Sequence, residues 1–314
     1  MTDSSLAGSP GVGPLRPTAA FMTRRKVTDR VMRTVLFICA AMSVAVTTGI
    51  VYILISESLP FFGQVSIVEF LTGTQWTPLF ADPQFGILPL LSATAWAAGI
   101  ALFVAIPLGL TLAVYLSEYA PNTVREVVKP FLELLEAVPT VVYGYFALLF
   151  LTPLFQQFIP GLSTFNLLVP GVVLGIMILP YVTSVSEDAM RAVPGVLREG
   201  AYGLGFTRYQ TAVRVIIPAA FSGITAAFIL GMSRAVGETM VLAIAAGQNP
   251  NLLTNPLEGA ATITAFIVQV SMGDVEHGGI AYQSIFAAGF TLFLITLGFN
   301  ILGFWLRQKF REAY

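Results

Sequence analysis

The sequence predicts an all-α integral membrane protein with six transmembrane helices and both termini in the cytoplasm. Three observations predict it: a scarcity of charge, a series of apolar stretches of spanning length, and a one-sided distribution of basic residues. Of 314 residues, 56% are hydrophobic and 11% charged, against roughly 25% charged in an average soluble domain. So little charge cannot cover the exterior of a soluble fold, which excludes a water-soluble enzyme. A net charge of −1 by itself says nothing about nucleic acid or acidic partners. One cysteine, Cys39, and one histidine, His277, exclude a disulfide framework and any multi-His or multi-Cys metal site. Cys39 lies in an apolar run and is expected as a buried thiol, His277 as a solvated loop residue.

The first element is a tail, residues 1–30, rich in Gly, Pro and Ser up to Thr18 and basic after it. That composition predicts disorder. A span needs about 20 helical residues to cross ~30 Å of hydrocarbon. Six stretches reach that length: approximately 34–55, 88–116, 131–155, 167–185, 219–247 and 281–306. The first is too long for the core of a cleavable signal peptide, and no small-residue cleavage pattern follows it. The second and fifth exceed one crossing and should tilt or kink. Pro107, Pro139, Pro170 and Pro180 are candidate kink sites, which membrane helices tolerate because neighbours re-satisfy the freed carbonyls. The expected layout is a tail (1–30), a first helix with an outward loop (31–87), a membrane core (88–306) containing a cytoplasmic loop (186–218), and a C-terminal tail (307–314).

Basic residues fix the orientation. Arg16, Arg24, Arg25, Lys26, Arg30 and Arg33 precede the first span; Arg125 and Lys129 follow the second. Arg191, Arg198, Arg208 and Arg214 lie between the fourth and fifth, and Arg307, Lys309 and Arg311 follow the sixth. With six spans all of these share one side, and the three opposite loops hold none. The positive-inside rule places that side in the cytoplasm. The outward loops instead carry Glu57, Glu69, Asp82, Glu258, Asp274 and Glu276, a face that repels a free anion.

The one remaining basic residue, Arg234, falls inside the fifth span, with Glu238 four residues on. A charged side chain at mid-bilayer costs at least about 2.5–3.5 kcal/mol, so it faces a bundle interior or wet cavity. One reading is an i,i+4 ion pair that only fixes packing, although Arg before Glu is the weaker order. The other is that the guanidinium meets an anionic substrate, since its rigid donor fork matches phosphate-like oxyanions. Glu238 would then orient Arg234 or accept a proton from the oxyanion. Gly223, Ala227, Gly231 and Ala235 recur every fourth residue and predict close helix packing. Glu133 and Glu136, near Lys129, are expected at the membrane interface.

The loop 186–218 reads as two short helices. Within it, Glu199-Gly-Ala201, Gly205 and Val215-Ile-Ile217-Pro218 resemble the cytoplasmic-loop signature of ABC importer permeases: Glu-Ala-Ala, three residues, Gly, nine residues, Ile-x-Leu-Pro. Gly200, Val215 and Ile217 depart from it conservatively. The resemblance implies the permease (MetI-like) architecture and a coupling helix that docks on an ATPase subunit. Glu199, Ala201, Gly205 and Pro218 are then the coupling residues.

Three further stretches, 85–91, 136–144 and 234–240, are similar to the phosphate-importer branch, and the Gly-Glu-Thr-Met ending is closer to its PstC type than to its PstA type. This resemblance implies Arg234 and Glu238 as substrate-path residues for inorganic phosphate. It also implies a PstA-like second permease, an ATPase pair and an extracytoplasmic phosphate-binding protein as partners. No G-x-x-x-x-G-K-[ST] occurs, so ATP is used by a partner chain, and no cofactor, metal or nucleic acid is expected on this one. The expected location is the bacterial cytoplasmic membrane. Two alternatives stand beside it: an ABC permease for another oxyanion or an organic solute, and an ion-coupled secondary transporter. The latter lacks its usual paired broken repeats.

Overall fold

A computed structural model describes residues 19–309 other than 251, 274 and 277. His277 and Asp274 lie outside the described residues, as do residues 1–18 and 310–314. Twelve helices follow in order: α1 Ala19–Gln64, α2 Ile67–Thr72, α3 Leu88–Tyr119, α4 Asn122–Ala137, α5 Thr140–Gln156, α6 Leu168–Arg191, α7 Gly195–Gly203, α8 Arg208–Ala219, α9 Phe221–Val236, α10 Met240–Ala245, α11 Ile263–Met272 and α12 Ile280–Lys309. No strand occurs among the described residues; Trp76 and Phe85 make an isolated antiparallel bridge.

The chain divides into two compact units, residues 1–53 and 54–314. In the first, α1 begins at Ala19, inside the stretch expected as a disordered tail. No Gly or Pro occurs between Ala19 and Thr48, and the basic residues there are good helix formers. Cys39 is exposed on this helix, not buried as expected; its neighbours Phe37 and Ile38 are exposed too. A helix apolar on every side is suited to lipid.

Among the described residues four helices, α1, α3, α6 and α12, have spanning length and apolarity, and six spans result only if each of two bent pairs counts as one. In the second unit, helix α6 lies at the centre. Small residues of α3, among them Ala98, Ala101 and Ala105, are buried against it. Gly175 faces α3 so closely that a Cβ there would sit 2.8 Å from the Ala101 carbonyl oxygen. The expected small-residue stripe on α9 packs on α6 as well, with Gly223 opposite Ala189 and Gly231 opposite Val182. A second cluster joins Phe61, Phe62, Phe70, Trp76, Phe85 and Phe266 edge to face.

Two expected spans are broken. The stretch 131–155 is not one helix: α4 and α5 meet at 85°. Pro139 restricts Val138 to an extended conformation, φ −66° and ψ 129°, and the buried Tyr143 hydroxyl donates to the Leu135 carbonyl across the corner, 2.7 Å. A 72° bend between α8 and α9 marks the beginning of the stretch 219–247, just after Pro218, which gives no N–H to the ladder. The stretch breaks again at residues 237–239, between α9 and α10. Pro107 and Pro180, by contrast, remain inside helices.

Candidate functional site

The second break sets the position of the predicted intramembrane charges. Arg234 lies in the last turn of α9, where the helix dipole favours a cation. The helix stops at Val236, so Glu238 is not one turn further along it. No ion pair joins Arg234 and Glu238 among the described residues, which overturns both the i,i+4 pairing and the orienting role expected of Glu238. The Glu238 side chain is nearly buried and accepts from the Val241 backbone N–H, 3.3 Å, at the start of α10. Its own carbonyl accepts from Thr264 Oγ1, 2.6 Å. Glu238 therefore shapes the break, tying it to α10 and α11.

The partner of Arg234 is Glu136. Arg234 Nη1 donates to Glu136 Oε1 at 2.9 Å, and both side chains are little more than a third exposed. The guanidinium also lies 5.9 Å from the centroid of Tyr181 on α6, within cation–π range. Glu136 was expected at an interface beside Lys129, but Lys129 pairs elsewhere. The available signal was Pro139, which turns the chain directly after Glu136 and aims the last turn of α4 at α9.

At the other end of α4 a second charged cluster forms. Glu187 of α6 is fully buried and meets Arg125 Nε at 2.9 Å, Lys129 Nζ, and Arg191 Nη1 at 3.7 Å; Lys129 also reaches Asp188, 3.2 Å. A buried carboxylate persists only with such partners. Charge sign alone orients these cations in the membrane; their pairing with Glu187 and Asp188 depends on how α4 meets α6.

The expected loop helices are α7 and α8. Arg198 of α7 contacts Glu118 at the end of α3, 3.1 Å, and donates to the Met190 and Val193 carbonyls, 2.8 and 2.7 Å. It thus satisfies acceptors at the C-terminal end of α6. Glu199, the next residue, points outward and is exposed. Ala201 is buried, so it seats α7 on its own chain instead of offering a contact. Gly205 adopts φ +84°, ending α7 with Phe206 N–H bonded to the Ala201 carbonyl, 3.1 Å. Thr207 and Gln210 then form a capping box that opens α8, and Pro218 is exposed near its end. Around Glu199, Val196 and Leu204 are 75% and 80% exposed, with Tyr202 and Tyr209 beside them. Exposed apolar side chains grouped this way mark a contact surface. No group of His, Cys, Asp or Glu among the described residues is placed to hold a metal ion.

Comparison with known proteins identifies the family. The family model described as binding-protein-dependent transport system inner membrane component matches residues 105–312. The chain is 36% identical over 272 residues to a probable ABC transporter permease protein, YqgH, of Bacillus subtilis, covering 86% of this chain and 88% of that one. It is 35% identical over 280 residues to the phosphate transport system permease protein PstC of Haemophilus influenzae, covering 82% and 85%. Among solved structures, a chain of a bacterial ABC transporter importing alginate matches with TM-score 0.59 and 16% identity, over 91% of this chain and 100% of that one. The inward-facing MetNI methionine transporter matches with TM-score 0.56 and 17% identity, over 71% and 95%; both establish likeness of fold. On the extent of the family match and these relatives, the chain belongs to the binding-protein-dependent transport system inner membrane component family, as an ABC importer permease subunit of the bacterial inner membrane.

Proposed function

We propose that this permease carries inorganic phosphate inward through a path that includes Arg234. The observation that carries this reading is the partly exposed guanidinium at the end of α9, held by a single hydrogen bond to Glu136. Arginine has five N–H donors in a fixed fork, so most of its capacity faces the path. The PstC relatives, at up to 35% identity, favour phosphate over other oxyanions. Glu238 contributes by fixing the break that ends α9 beside the path. Six spans, with both termini cytoplasmic, put α7 and α8 on the cytoplasmic side.

There the exposed Glu199, flanked by Val196 and Leu204, meets an ATPase subunit, while Ala201 and Gly205 set the height and end of α7 and Pro218 closes the loop. The chain itself is a non-catalytic transport subunit; ATP is used by the partner ATPase pair. A PstA-like permease completes the membrane path, and an extracytoplasmic phosphate-binding protein delivers the anion. Radiolabelled phosphate uptake in cells lacking this chain tests the reading: high-affinity uptake is lost and returns with the gene. Uptake unchanged by deletion overturns it. Uptake competed by excess sulfate or molybdate as strongly as by phosphate would assign a broader oxyanion cargo.

A further inference from the structure

We infer that Glu136 is a built-in substitute for the cargo: it holds Arg234 when no anion is present and is displaced when one arrives. The inference rests on the reading of Arg234 as the anion contact. Three observations carry it. The Glu136–Arg234 bond is single, Nη1 to Oε1 at 2.9 Å, and an oxyanion that takes two N–H groups in parallel binds the same fork more strongly. The carboxylate stands in the last turn of α4, where the helix dipole opposes it; the guanidinium offsets that cost, so the pair is easily exchanged but not idle.

A second seat also exists. Glu136 borders a cavity of about 30 Å³ lined by Lys129, Thr183 and Ser184 among others, room for one water-sized group. Thr183 is among the lining residues, and its hydroxyl, buried behind that wall, has no hydrogen-bond partner among the described residues. A buried hydroxyl without a partner is costly, and a carboxylate leaving Arg234 by rotation of its side chain gives it an acceptor. The displaced Glu136 thus moves from a guanidinium to the Thr183 hydroxyl and the Lys129 ammonium. A neutral solute cannot make this exchange, so the device also selects for anions.

The test uses the complete transporter purified with its partner subunits. Arg234 is reacted with a dicarbonyl reagent, its modification is followed by peptide mass spectrometry, and inorganic phosphate is titrated as protectant. With the internal competitor gone, Glu136→Gln lowers the half-protecting phosphate concentration by roughly fivefold or more. An unchanged half-protecting concentration overturns the inference. So does loss of uptake in E136Q as complete as in R234Q while the complex stays assembled, because the carboxylate is then a required part of the path. In wild-type protein, a hydrophobic carbodiimide labels Glu136 faster once phosphate is added; an unchanged rate overturns displacement even if E136Q does not fold. Failure of the underlying reading looks different: R234Q transports normally, or phosphate protects Arg234 in neither protein.

Discussion

Arg234 and Glu136 are 98 residues apart in sequence yet share one hydrogen bond, and that separation explains what sequence reading could and could not reach. Arg234 stands out because a cation inside an apolar stretch is costly wherever it ends up, a property of composition alone. Its partner depends on where two helices stop, and helix ends are set by tertiary contacts such as Thr264 on the Glu238 carbonyl. Glu238, spaced as an i,i+4 partner of Arg234, therefore accepts from the Val241 N–H instead. Arg234→Ala is expected to reduce phosphate uptake to background while the complex still assembles, read by uptake and by gel filtration of the purified complex. Degradation of the mutant instead would make the pair a packing device.

Gly205 gives a second prediction at this scale. Its φ of +84° costs an L-residue about 1–2 kcal/mol, although a Cβ there meets nothing within 4 Å. Gly205→Ala should leave the membrane core intact and speed amide hydrogen exchange across residues 201–206, where α7 ends. Unchanged exchange would mean that the turn relaxes into another form at no cost.

At the scale of elements, the apolar stretches were legible because hydropathy adds along the chain. The breaks within them were not, because a membrane helix can carry a proline or lose its ladder there, depending on neighbours. Pro107 and Pro180 continue as helix; Pro139 becomes an 85° corner, closed by Tyr143 reaching Leu135. The distinction lies in α4, whose charged face of Arg125 and Lys129 is drawn to the buried Glu187 and cannot align with the apolar α5. Removing that anchor is expected to destabilise the corner. Glu187→Ala leaves Arg125 without its ion-pair partner and Lys129 with Asp188 alone, both a quarter exposed, so the loss is about 1–3 kcal/mol, below that for a fully buried pair. A lowered thermal transition in purified protein checks it.

The α3–α6 seam is tightly packed. A larger residue at Gly175 must push the Ala101 carbonyl oxygen away from a Cβ that would sit 2.8 Å from it. Overpacking of this kind costs about 1–3 kcal/mol. Gly175→Val should therefore lower yield and thermal stability together, whereas a similar change at the uncrowded Gly99 should do neither.

Across the second unit as a whole, α4 links the two charged groups. One end of α4 is held to α6 through Glu187, close to where Arg198 fastens α7 to Glu118 and to the end of α6. The other end carries Glu136 and its bond to Arg234. A displacement of α7 reaches α6 through the Met190 and Val193 carbonyls, and α4 through Glu187 one turn earlier. Coupling between distant sites requires such a chain of packed and hydrogen-bonded elements, and α4 and α6 supply it here.

Glu199 and Arg198 separate the two halves of that link because they are neighbours facing opposite ways. Glu199→Lys changes only the exposed face of α7. It should weaken retention of the ATPase subunit on purification and lower uptake in proportion, without altering the thermal transition of the isolated permease. Arg198→Ala cuts α7 from Glu118 and from the end of α6. It should lower uptake with the ATPase still bound, because the motor then moves a helix no longer fastened to the rest of the chain. ATP turnover that persists in R198A without phosphate transport would establish that the clamp transmits the stroke; full coupling in R198A would place transmission in the apolar contacts of Ala201 instead.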